Sequence, residues 1–182
     1  VSPPSYTTSA PPRVLVHSAA EFPLSARVLA PPDRRTSPRL AMAAAALRAR
    51  LNTHISRMYA EGVVEEETFE QLREDGTATE VARLFINEAY EILHDIDIRM
   101  EEPEVDIDEV EALTQQLMEC ASSVGAQQVK LACMHFGDFY AIKCKQGCLV
   151  SLDLVRNLYC IVRNDVEIMI QLEDQIAACG PK

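Results

Sequence analysis

The stretch Leu113-Thr114-Gln115-Gln116-Leu117-Met118-Glu119-Cys120-Ala121-Ser122-Ser123-Val124-Gly125-Ala126 spaces its apolar residues at the period of a helix. Just upstream, Asp106-x-x-Glu109 has the form of an acidic N-cap, with carboxylates where the helix dipole favours negative charge. On a helix launched from that cap, Val110, Leu113, Leu117, Ala121 and Val124 form the inward stripe. At ~100° per residue, Gln115 and Glu119 project roughly 160° from the centre of that stripe, and Ser122 about 140°. Met118 lies on the flank of the same outer side. Ser122 through Ala126 then read as a bend of small residues, so the stretch is an amphipathic helix ending in a corner.

The same period extends in both directions. Downstream, Val129, Cys133, Phe136 and Tyr140 line a helix that Gly147 is expected to close. A last helix over 149–178 turns Leu152, Val155, Tyr159, Val162, Val166, Met169, Leu172 and Ile176 inward. Upstream, Leu47, Leu51, Ile55 and Met58 mark one face of a helix that starts at Ala43 and stops at Gly62. A short acidic helix over 65–73 follows, with Val64, Phe69 and Leu72 as its apolar contacts, ended by Asp75-Gly76. Thr77-x-x-Glu80 has the capping-box pattern and opens a long helix to about Arg99, with Val81, Leu84, Phe85, Ile92 and Ile96 on its buried stripe. Glu101-Glu102-Pro103-Glu104 breaks it. The pattern predicts an all-α protein: an antiparallel four-helix bundle with two additional short N-terminal helices covering one end.

Composition supports that class and excludes others. The chain has no Trp, few aromatics and a net charge of −11. A nucleic-acid backbone demands a basic footprint, so the charge argues against one as a partner. No apolar run approaches the ~18 residues of a membrane span. The cysteines at 120, 133, 144, 148, 160 and 179 contain no C-x-x-C pair, and His17, His54, His94 and His135 complete no zinc pattern. They read as buried, reduced small hydrophobes in a reducing compartment. No metal and no cofactor is implied.

Residues 1–41 differ from the rest. They hold eight of the ten prolines, and five arginines against Glu21 and Asp33, a net +3 that leaves −14 on residues 42–182. Proline at this density predicts disorder. The Ser- and Arg-rich, acid-poor composition superficially resembles an organelle transit peptide. Met42-Ala43-Ala44-Ala45-Ala46-Leu47 reads as a natural translation start, and the preferred reading takes residues 1–41 as upstream sequence. The domain expected is therefore 42–182.

Several segments in order now carry a resemblance. The Met42-Ala-Ala-Ala-Ala-Leu-Arg opening, Ser122-Ser123-Val124-Gly125-Ala126-Gln127-Gln128-Val129-Lys130, Cys133-Met134-His135-Phe136, Gly147-Cys148-Leu149 and Met169-Ile170-Gln171-Leu172-Glu173 resemble the plant histidine-containing phosphotransfer proteins. The resemblance implies a carrier, not an enzyme, that takes a phosphoryl group from the receiver domain of a hybrid sensor kinase. It passes the group to a response regulator, in plants mainly within cytokinin signalling, in cytoplasm and nucleus and as a monomer. The family's acceptor is an exposed histidine in a His-Gln-Leu-Lys-Gly run. That run falls on Gln115-Gln116-Leu117-Met118-Glu119, which puts Gln115 at the acceptor position.

The departure has chemical consequences. An imidazole nitrogen is nucleophilic, whereas an amide nitrogen has its lone pair delocalised into the carbonyl. Met118 supplies none of the positive charge that the family's lysine gives to phosphoryl oxygens. Glu119 fills the space left by the family's glycine and adds negative charge. The sequence thus reads as a pseudo-phosphotransfer protein. His54, His94 and His135 read as ordinary helix residues, because none has a neighbouring lysine and glycine in the transfer arrangement.

The resemblance implies docking to receivers through Leu51, Ile55, Phe69, Leu72, Gln115, Met118, Glu119 and Ser122. Helical periodicity makes most of Leu51, Ile55, Phe69 and Leu72 core, leaving one or two as exposed anchors. The segment between Leu72 and Glu80 is also shorter than in typical relatives. Acidic residues lining a receiver's active site face an acidic helix here, which costs ~1 kcal/mol or more at a partly desolvated rim.

Overall fold

Asp106 opens its helix as the sequence requires: its carboxylate accepts the N–H groups of Asp108 and Glu109 at 3.1 and 3.2 Å. The structure, a computed structural model, describes residues 38–179. Among them the elements are α1 (Pro38–Ala60), α2 (Glu66–Glu74), α3 (Ala78–Glu101), α4 (Ile107–Ser123), α5 (Gln127–Ala141) and α6 (Lys145–Ala178), with no strand.

Helices α3 to α6 form the antiparallel bundle. Arg99 at the end of α3 bonds Glu109 at the start of α4 at 2.7 Å, while Cys120 near the end of α4 lies against Phe85 near the start of α3. Across α3 and α6, Tyr159 donates to the Ile86 carbonyl at 2.7 Å, Arg156 pairs with Asp97, and Arg83 with Asp174 at 3.0 Å. Phe69, Phe85, Phe136, Met58, Ile96, Leu117 and Met169 are fully enclosed and make one contiguous core. Of the two N-terminal helices, α2 is short as expected. Helix α1 is long, 23 residues, and packs along α6.

One device closes four of the helices. At the end of α1, Val63 N–H reaches the Met58 carbonyl and Gly62 N–H the Tyr59 carbonyl, a Schellman closure. The same pair of bonds ends α2 through Thr77 and Gly76, α4 through Ala126 and Gly125, and α5 through Cys144 and Lys143. The left-handed position is glycine in the first three, at φ of 66, 72 and 74°, but Lys143, at φ 55°, in the fourth.

That closure corrects two expectations. Thr77 does not form a capping box with Glu80: its N–H closes α2, and its hydroxyl points back to the Leu72 carbonyl at 3.4 Å. Gly147 does not end α5, which stops at Ala141; it lies in the first turn of α6, where a Cβ would stand 2.3 Å from Phe139 Cδ1. Its role is close packing.

Two further expectations change. Helix α1 begins at Pro38, so it crosses the boundary at 41/42; a proline in the first turn lacks an N–H that the helix would leave unpaired anyway. The expectations for residues 1–37 lie outside the described residues. In α3 the buried stripe is Ala82, Phe85, Ala89, Leu93 and Ile96, and Leu84 is exposed. The alanines at 82 and 89 allow close helix contact and draw the buried face to themselves, about 140° away from Leu84.

Candidate functional site

Helix α4 divides cleanly between core and solvent. Val110, Thr114, Leu117, Cys120 and Ala121 are buried, and the Thr114 hydroxyl is satisfied by the Val110 carbonyl at 2.8 Å. Gln115, Gln116, Glu119 and Ser122 are exposed, and Met118 is half-buried against the core. The outward groups bond only within their own helix. Gln115 Nε2 donates to Glu119 Oε1 at 3.2 Å, and Ser122 Oγ donates to the Met118 carbonyl at 2.7 Å. Neither of these hydrogen bonds leaves the helix.

A cleft runs along each side of this face. The α3–α4 cleft, about 570 Å³, is lined by Glu88, Glu91, Asp95 and Glu119. The α4–α5 cleft, about 630 Å³, places Met118 and Met134 among Asp108, Glu111 and Asp138. No lysine or arginine lies on α4 itself. The neighbouring thiols are inert: burial, reinforced by Glu88, pushes Cys120 up to about 12, and burial alone pushes Cys133 up to about 12.

The structure separates the eight expected contact residues. Gln115, Met118, Glu119 and Ser122 share one outer side, whereas Leu51, Ile55 and Phe69 are 8 %, 2 % and 0 % exposed and belong to the core. That corrects their assignment as partner contacts, since they are the residues by which α1 and α2 grip the bundle. Leu72 is half-buried against the same core. It is the one member of that set with surface to offer.

No described histidine lies on α4. His94 is exposed on α3, and His135 is exposed on α5 with Nδ1 3.8 Å from Asp138. His54 is engaged in a seam that sequence reasoning missed. Its Nε2–H donates to the Asp165 carbonyl at 2.8 Å, Arg57 donates to its Nδ1 at 3.2 Å, and Arg57 also pairs with the Asp165 carboxylate. Hydrogen bonding to Asp165 raises the Arg57 guanidinium above its ordinary pKa. The seam joins residues more than a hundred positions apart, and nothing in either segment alone announces it.

In this bundle α4 presents an unengaged polar face between two open clefts. No family model matches the chain. A histidine-containing phosphotransfer protein from Oryza sativa subsp. japonica, number 2 of its series, is 43% identical over 148 residues, covering 78% of this chain and 99% of that one. The crystal structure of a rice histidine-containing phosphotransfer protein superposes with a TM-score of 0.71 at 42% identity, covering 74% of this chain and 99% of the other. A pseudo histidine-containing phosphotransfer protein from Arabidopsis thaliana, number 6, is 26% identical over 141 residues, 74% of this chain and 92% of that one. The chain belongs to the histidine-containing phosphotransfer protein family.

Proposed function

We propose that the chain is a pseudo-phosphotransfer member of this family. It binds receiver domains of hybrid sensor kinases and response regulators without accepting phosphate, and so lowers flux through a two-component relay such as cytokinin signalling, in cytoplasm and nucleus. One observation carries the reading: the solvent face of α4 presents the Gln115 amide, tied to the Glu119 carboxylate, and no imidazole or ammonium. The amide is no phosphoryl nucleophile, and the carboxylate repels an incoming phosphoryl group. The intact core under that face leaves the scaffold available for docking.

Incubation with a phosphorylated receiver, read by acid-labile phosphate, is expected to leave this protein unlabelled while calorimetry detects binding. Absence of binding to any receiver defeats the inhibitor reading. Restoring Gln115→His, Met118→Lys and Glu119→Gly together is expected to convert a silent binder into a phosphate acceptor. A relay reading has one specific observation in its favour, the exposed His135 beside Asp138. Labelling of the parent that disappears in His135→Gln would establish it in place of the inhibitor reading.

A further inference from the structure

The opposite end of the bundle holds a cavity that receiver docking does not use. It lies where the segment between α3 and α4 faces the corner between α5 and α6, and its volume is about 330 Å³, within the range of small-molecule sites. Met100, Val105, Val110 and Cys148 give it apolar walls, three of them buried. Lys143 and Lys145 line it as well, and neither forms an ion pair with another described residue. Tyr140 adds a phenol that burial, helped by Glu111, holds protonated and so able to donate.

Charge placement here departs from the rest of an acidic protein. Helix α6 starts at Lys145 with no side-chain cap and no acidic residue in its first turn. Of the acidic residues around the facing segment, Glu102 and Glu109 pair with Arg99 and Asp106 caps α4, while Glu104 and Glu111 are exposed to solvent. Most telling is Lys143. It holds the left-handed position of a helix closure that α1, α2 and α4 each assign to glycine. A lysine there strains the backbone where glycine does not, and a strained residue at a cavity mouth points to use of its side chain.

We propose that this cavity binds a small organic carboxylate with an apolar body. The body packs among Met100, Val105, Val110 and Cys148, and the carboxylate is held by the Lys143 and Lys145 ammonium groups at the start of α6. Lysine suits the task as a compact cation on a flexible stem, able to meet a single carboxylate at the rim.

Octanoate titrated into the full chain by calorimetry tests the site, with octan-1-ol as the neutral probe of equal chain length. Octanoate is expected to bind saturably, and octan-1-ol about tenfold or more weakly, because the charge-assisted bonds are lost. Lys143→Gly separates ligand binding from architecture. It relieves the backbone and raises the melting temperature by about 1–4 °C, yet weakens octanoate about tenfold. Val105→Trp, on the segment outside the helices, fills the cavity and is expected to abolish octanoate binding with little change in melting. Failure of octanoate to bind, or equal binding by the parent and Lys143→Gly, overturns the proposal.

Discussion

Two corners of the bundle share one backbone solution and use different residues to build it. The α4–α5 corner turns at Gly125, φ 74°, and the α5–α6 corner at Lys143, φ 55°, with matching pairs of closing hydrogen bonds. Gly125 is buried in a working joint: its carbonyl accepts the Glu65 N–H at 2.8 Å, and a Cβ would press to 3.3 Å on the Glu65 nitrogen and on Thr68. Lys143 is exposed and supports no such joint. The first corner is crowded by what packs on it, whereas the second is open to solvent. Close approach demands glycine at position 125, whereas at Gly76 an added Cβ would meet nothing within 4 Å and only the left-handed backbone favours glycine.

The largest effect is expected at the buried corner. Gly125→Ala combines left-handed strain with crowding against α2, and should cost about 2 kcal/mol in urea unfolding; a cost no greater than that of an exposed Gly→Ala change would erase the distinction. Glu65→Pro removes the bond to the Gly125 carbonyl and the Thr68–Glu65 bond and sets its ring against that carbonyl, so it should cost roughly 1–2 kcal/mol even though Glu65 already holds φ −75°. Protease cleavage confined to α2 would show that this joint is what fastens it. At the exposed corner the sign reverses. Lys143→Gly should stabilise by roughly 0.5–1 kcal/mol. Smallest of all, Gln115→Ala on the outer face of α4 should change stability by less than about 0.5 kcal/mol, since the side chain bonds only to Glu119 on its own helix.

A labelling experiment sharpens the contrast between inside and outside. Cys160 is exposed, whereas Cys120 and Cys133 are buried, with their ionisation pushed up to about 12. At pH 8 iodoacetamide should modify Cys160 first and the buried pair only on unfolding. Early loss of the Cys120 thiol would mean that α4 opens away from α3.

Much of this was legible in the sequence, and the failures have physical causes. Asp106 announced its helix because a cap is a local transaction between a carboxylate and the next few N–H groups. The outer face of α4 followed from period alone. The end of α5 was not legible, because its stop is a lysine, and the nearest glycine, Gly147, serves a contact with Phe139 instead. Leu84 was misplaced because alanines at 82 and 89 carry little weight as hydrophobes yet decide where helices meet. The start of α1 was hidden by prolines that argue against a helix everywhere except in its first turn. The His54–Arg57–Asp165 seam needs tertiary structure to exist at all. Gln115, Met118 and Glu119 could be read together only because the period had already placed them on one outer side.

The Gly147–Phe139 contact ties the fate of two positions together. Any side chain at 147 collides with a ring that is itself only partly covered, so the ring can be trimmed at modest cost. A genetic screen started from Gly147→Ala would therefore return second-site revertants at Phe139. Among homologous chains, a larger residue at the first position should travel with a smaller one at the second. The contact is a small inheritance constraint written across two helices, at the far end from the outer face of α4.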